Sequence, residues 1–295
     1  MTRKHVLAKI DLYERLMRLD KPIGILLLLW PTLWALCIAG RGHPDWVVVM
    51  IFVTGTALMR SAGCVLNDIA DRKYDALVSR TKNRPLAANE VSVKEAYILT
   101  AILSLVAFGL VLFLNRTTIY LSFIALFLAA TYPFTKRFIA IPQAYLGIAF
   151  GFGIPMAFAA TNDYIPQLAW QLLVANVFWA IAYDTEYAIV DRAEDLKIGI
   201  KSSAIFFGNY DVAAIMLCHI AMLLILIYLG RSMGLNQYYF ICLGVALCLM
   251  LMQYCLIRQR NTIKCFKAFL SNNWIGLTVF LGLYANYNIH FTSQF

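Results

Sequence analysis

Residues 45–75 read DWVVVMIFVTGTALMRSAGCVLNDIADRKYD. Residues 45–67 are almost continuously apolar and long enough for a helix to cross a bilayer, which takes about 20 such residues. Residues 68–75 add Asp68, Asp71 and Asp75 to the same run without a glycine or proline to end it. At about 100° per residue, Asn67, Asp68, Asp71 and Asp75 fall within an arc of about 100° on one helix face. The stretch therefore predicts a membrane helix whose far end carries a stripe of carboxylates. Like charges stacked one turn apart repel, and carboxylates at membrane depth are costly enough to mark a site.

Outward from this helix the apolar pattern recurs, with spans at 22–40, 45–67, 96–114, 118–135, 141–160, 168–190, 211–230, 236–257 and 272–290. The expected fold is an all-α membrane protein of about nine transmembrane helices around a central cavity, in a single polytopic domain covering 1–295. Composition agrees: 61% of residues are hydrophobic and 14% charged, with a mean hydropathy of +0.70. Soluble domains carry about 25% charged residues, so that class is excluded. The net charge of +9 does not point to nucleic acid, because the basic residues lie between apolar runs rather than on one polar face. Seven cysteines without a CxxC and four scattered histidines give neither a disulfide framework nor a zinc site.

With the N-terminus in the cytoplasm, 21 of the 25 Lys and Arg residues fall on the inside. Only Arg41, Arg116 and Arg231 fall outside, and Arg60 lies within a span. The positive-inside rule then orients the chain, and nine helices leave the C-terminus outside. Residues 1–21 form a basic cytoplasmic segment; the apolar run after them carries Trp30, Pro31 and Trp34 and no A-x-A site, so it is expected to stay uncleaved. Two inside connections, 68–95 and 191–210, are long and polar, as active-site loops often are.

The second of these begins with another acidic cluster. Asp184, Tyr187, Asp191 and Asp195 fall within about 80° of one helix face. Both clusters contain D-R-x-x-D, 120 residues apart. Oxygen ligands without nearby His or Cys suit Mg²⁺, which binds through one or two carboxylates plus substrate phosphates. Two such stripes facing each other would hold a diphosphate, with Asp71, Asp75, Asp191 and Asp195 as metal ligands and Asn67 and Asp68 orienting them.

The pattern N-D-x-x-D-x-x-x-D at 67–75, D-x-x-x-D at 191–195 and Y-x-x-x-K at Tyr132–Lys136 resembles the UbiA superfamily of intramembrane prenyltransferases. Within it, R-L-D-K-P-I-G (18–24), R-T-K-N-R-P-L (80–86) and Y-D-T-E-Y-A (183–188) most resemble the members that prenylate 4-hydroxybenzoate in ubiquinone biosynthesis. The resemblance implies Mg²⁺-dependent transfer from a polyprenyl diphosphate to the ring carbon ortho to the acceptor hydroxyl, and puts Tyr132 and Lys136 at the site. For the free diphosphate oxygens the candidates are Arg72, Lys73, Lys136, Arg137, Arg192 and Lys197. Relatives acting on naphthoate or homogentisate share the scaffold.

An acceptor that carries a carboxylate also needs a cation. Arg60 lies on the face of Asn67 and Asp71, roughly 10 Å deeper than Asn67 at 1.5 Å per residue. It either meets that carboxylate or forms an ion pair with Asp184, also within a span. A secondary transporter would share buried charges but place them near mid-bilayer. A phosphatidyltransferase would carry D-G-x-x-A-R, which is absent. No Arg- and Ser-rich leader precedes the first span, which favours a bacterial inner membrane with the site near its cytoplasmic face.

Overall fold

The computed structural model describes residues 3–78 and 80–289, with side chains from residue 9 onward. Residues 1–2 of the N-terminal segment and the end of the last expected span at 290 lie outside them. The described residues are helical, with no strand. In chain order the helices are α1 (Arg3–Met17), α2 (Ile23–Ala39), α3 (Trp46–Asp75), α4 (Val93–Val111), α5 (Arg116–Thr135), α6 (Pro142–Gly151), α7 (Gly153–Asn162), α8 (Gln167–Ile198), α9 (Ser203–Phe207), α10 (Asp211–Ser232), α11 (Gln237–Ile257) and α12 (Thr262–Asn288).

Polar residues between the apolar runs set where helices start. Asp45 accepts from Val47 N–H at 2.7 Å, and Ser92 and Glu95 form a reciprocal capping box at α4. Asn115, Asn236 and Asn261 cap α5, α11 and α12 in the same way. Each side-chain oxygen satisfies an amide that the first helical turn would leave without a partner. Among the described residues, seven segments are long and apolar enough to cross a membrane: α3, α4, α5, α6 with α7, α9 with α10, α11, and α12. The expected spans 22–40 and 168–190 correspond to α2, apolar but only 17 residues long, and to the polar-interrupted α8.

Two expectations need correction. The 141–160 span is two helices broken at Phe152, where Pro155 has no N–H to bond back to the preceding turn. The connections 68–95 and 191–210 begin as helix, because α3 runs on to Asp75 and α8 to Ile198. The N-terminal segment is itself largely helical, and Leu16 of α1 packs under Val65, Leu86 and Val91.

Lipid gives helices no hydrophobic reason to associate, so small residues and hydrogen bonds hold the bundle. A Cβ on Gly147 would lie 2.8 Å from Val177 Cα, and one on Gly151 would lie 2.4 Å from Asn176 Nδ2, so α6 approaches α8 closely. Asn176 also donates to Gly147 O at 2.9 Å. Trp34 and Trp179 stack at the centre of the largest core cluster, and Trp34 donates to Gly276 O at 2.9 Å. Helices α4 and α5 bury little, presenting Ile102, Val106, Tyr120 and Phe127 outward.

Candidate active site

Helices α3 and α8 face each other across a cavity of about 1160 Å³, and both acidic clusters line it. The period of each helix explains this, since a stripe recurring every three or four residues stays on one side.

At the polar end, Asp71, Asp75 and Asp191 each meet a cation. Lys136 donates to Asp71 Oδ2, whereas Asp71 Oδ1 is buried with no hydrogen-bond partner. Arg84 donates to Asp75 at 2.7 Å. Arg80 forks onto Asp191, with Nε to Oδ1 at 2.9 Å, and its guanidinium lies 4.8 Å over the Tyr187 ring. Asp195 lines the cavity from the part of α8 beyond its apolar stretch. Burial, and then the Asp191 carboxylate, push its carboxyl up to about 7. A bound cation would reverse that shift. Among the described residues no three acidic side chains gather closely enough to hold a metal ion by themselves; the oxygen-only donor set and the unpartnered Asp71 Oδ1 fit Mg²⁺ held together with a phosphate ligand.

Several sequence candidates lie elsewhere. Asp68 is 1% exposed and, rather than lining the cavity, accepts from Arg18 and from Arg84 at 3.1 Å. It anchors those two arginines. Arg72 and Lys73 are exposed and point away from the cavity, as does Lys197. Arg192 donates to the fully buried Asp211, which Arg260 also holds, so Arg192 ties α8 to α10. Arg137 is exposed, donates to Ala70 O at 2.9 Å and lies over Tyr74, outside the main cavity. The cations that do line the polar end include Arg18, Arg80 and Arg84. Their motifs are visible in the sequence, but the loops that carry them have no period from which to read a direction. Burial opposes the charge on Arg18, yet Asp68 and other nearby groups hold its guanidinium above its ordinary value.

Deeper in the cavity lie Arg60, Tyr132, Gln143, Tyr183 and Asp184, with Asn67 nearer the polar end. Of the two alternatives for Arg60, the ion pair with Asp184 is not made. Arg60 instead donates to Cys64 Sγ at 2.7 Å, sits 5.6 Å over the Phe150 ring, and leaves its Nε without a partner. Gly24 makes this seat possible, because a Cβ there would lie 2.6 Å from Arg60 Nε and Nη2. The Tyr183 hydroxyl is also buried and unpartnered. Around these groups Phe52, Met59, Phe108, Leu126 and Phe150 form an apolar wall.

The model of the UbiA prenyltransferase family matches residues 28–280. A 4-hydroxybenzoate octaprenyltransferase of Dechloromonas aromatica is 61% identical over 280 residues, 95% of either chain. One from Nitrosomonas europaea is 60% identical over 275 residues, 93% of this chain and 94% of that one. Among solved structures, a UbiA homolog from Aeropyrum pernix K1 superposes with a TM-score of 0.77 at 25% identity, covering 87% of this chain and 96% of that one. One from Archaeoglobus fulgidus, bound to GPP and Mg²⁺, gives 0.69 at 18% identity over 92% and 99%. From its helical frame and from the match along most of its length, the chain belongs to the UbiA prenyltransferase family.

Proposed function

We propose that this protein transfers a polyprenyl group from polyprenyl diphosphate to the carbon ortho to the hydroxyl of 4-hydroxybenzoate, with Mg²⁺, at the cytoplasmic face of a bacterial inner membrane. The single domain would cross that membrane nine times, with α2 and α8 as the two spans beyond the seven apolar segments. The observation that carries the reading is the pairing, within one cavity, of an acidic and arginine-rich mouth with a deeper, incompletely satisfied Arg60. The mouth suits a diphosphate and the deep cation suits a carboxylate. The relatives named for 4-hydroxybenzoate support that acceptor.

Asp71, Asp75, Asp191 and Asp195 would hold Mg²⁺. When bound, it supplies Lewis-acid neutralisation of charge developing on the leaving diphosphate. Arg80 and Lys136, paired here with Asp191 and Asp71, would supply cations to the diphosphate oxygens when those carboxylates hold the metal. Arg80 brings a planar fork and Lys136 a point charge. Arg18 and Arg84, held on Asp68, line the same mouth, and Asn67 orients ligands or water there. The apolar wall takes the prenyl chain and excludes water from the allylic cation. Arg60 receives the acceptor carboxylate, with Tyr132, Tyr183 and Tyr187 bounding the ring.

The test is product analysis by mass spectrometry on membranes containing the protein, with a polyprenyl diphosphate and a panel of phenolic acids. Prenylated 4-hydroxybenzoate should form with Mg²⁺, stop with EDTA and return when Mg²⁺ is restored. Asp71→Ala and Asp191→Ala should each abolish it while folded protein stays in the membrane. Full activity without divalent metal, near-normal turnover by either variant, or preference for another acceptor would overturn the corresponding part.

A further inference from the structure

The Y-D-T-E-Y-A stretch divides its residues between two sides of α8. Thr185 and Glu186 point into the bundle, where Thr185 meets Ser203 Oγ at 2.6 Å and Glu186 accepts from Asn272 at 2.8 Å. Tyr183, Asp184 and Tyr187 line the cavity. Among them only Asp184 is a base, and it is not spent on a cation. The carboxylates of Asp71, Asp75 and Asp191 are each ion-paired, whereas Asp184 makes no ion pair among the described residues and lines the cavity together with Gln143. Gln143 is fixed from behind, since its Oε1 accepts from Ser203 N–H at 3.0 Å.

Depth assigns Asp184 a position along the acceptor. Helices α3 and α8 both end at the acidic mouth. Arg60 is 11 residues before Asp71, and Asp184 is 7 before Asp191. At 1.5 Å per residue, Asp184 therefore sits roughly 6 Å nearer the mouth than Arg60. That offset is comparable with the distance between the para substituents of a benzoate. With its carboxylate on Arg60, the ring's hydroxyl end and ortho carbons come level with Asp184, below the diphosphate.

Resting on the acceptor assignment above, we propose that Asp184 is the base that removes the ring proton after the prenyl group has been attached. The allylic C–O bond breaks and its electron pair leaves on the diphosphate. A π pair from the ortho carbon forms the C–C bond to the prenyl C1. The C–H pair at that carbon returns to the ring as its proton passes to Asp184 Oδ, and the carboxylic acid then gives the proton to the departing diphosphate. Gln143 is a positioning residue, holding the carboxylate toward the ring.

The experiment compares 4-hydroxybenzoate with its 3,5-dideuterated form on wild-type, Asp184→Asn and Asp184→Glu enzymes, with Mg²⁺ and a polyprenyl diphosphate. Wild type should show no isotope effect on kcat, because loss of the proton from a cationic ring is fast with a base in place. Asp184→Asn should lose about 10²-fold or more in kcat, the usual contribution of a positioned base. It should also acquire a primary isotope effect, with the acceptor KM little changed. Asp184→Glu should recover part of the rate with a smaller effect. If the Asn variant is not recovered folded, Asp184→Glu is read alone, and a displaced carboxylate must slow the proton step and expose the isotope effect. A variant with wild-type kcat, or one slowed with no isotope effect, overturns the assignment. Wild-type enzyme that forms no prenylated 4-hydroxybenzoate defeats the acceptor reading instead, so the two failures are distinct.

Discussion

Arg60 shows how a single buried charge is kept without an ion pair. Its guanidinium donates to Cys64 Sγ and sits over Phe150, and the missing side chain of Gly24 leaves it room. A cation so weakly partnered is available to an incoming anion. Arg60→Ala should raise the acceptor KM by roughly tenfold or more, since a charge-assisted hydrogen bond is worth about 1.5–3 kcal/mol. The KM for polyprenyl diphosphate should change little. Gly24→Ala keeps the charge but displaces it, so it should raise the same constant with folded yield preserved. Steady-state kinetics on both variants checks this, and unchanged acceptor KM in both would move the carboxylate site elsewhere. The sequence identified Arg60 as exceptional by depth alone. Its partners were not legible, because the direction of a long side chain depends on residues such as Phe150 that lie distant in the chain.

At the scale of the element, α8 is built to two specifications. Its cavity face carries the acidic stripe, which the helical period makes readable in the sequence. Its opposite face carries a buried polar network: Asn272 donates to Glu186, and Trp179 donates to Asn272 Oδ1 at 2.9 Å. His219 of α10 stands 4.0 Å from Glu186, fully buried. Glu186 and Asn272 are 86 residues apart, and nothing local in either stretch indicates their contact. The same blindness misassigned Arg192, which obeys the charge pattern of the site yet serves Asp211. Glu186→Ala removes one acceptor of the buried Asn272 amide, which keeps Ala268 O, and takes away the carboxylate facing buried His219, a loss of about 1–3 kcal/mol. Its thermal unfolding in detergent should shift down clearly, while the folded fraction retains the acceptor KM. A shifted KM with normal stability would instead place this network among the substrate contacts.

Across the whole molecule, charge and chemistry gather at one end. The acidic stripes sit at the C-terminal ends of α3 and α8, and Arg18, Arg80, Arg84 and Lys136 converge on the same mouth. Helix α1 and the 80–91 connection lie over that end, with Arg15 donating to Asn83 O and to Glu90, both at 3.2 Å. Seven of the nine expected apolar spans were legible because the bilayer imposes one length on every crossing. The covering of the mouth was not, since it depends on contacts between loops. Basic residues are retained preferentially in the cytoplasm during insertion, so the mouth should face inward. Exposed Lys82 lies at the mouth and exposed Arg231 at the far end of α10. In intact bacterial cells, Arg231→Cys should react with a membrane-impermeant maleimide, and Lys82→Cys should react only after permeabilisation. Native Cys248 and Cys255 are exposed only along the apolar α11, where a charged reagent does not reach them in lipid. The opposite labelling pattern would put the carboxylates, and any diphosphate they bind, on the outer face, where a cytoplasmic aromatic acid and prenyl donor could not reach them.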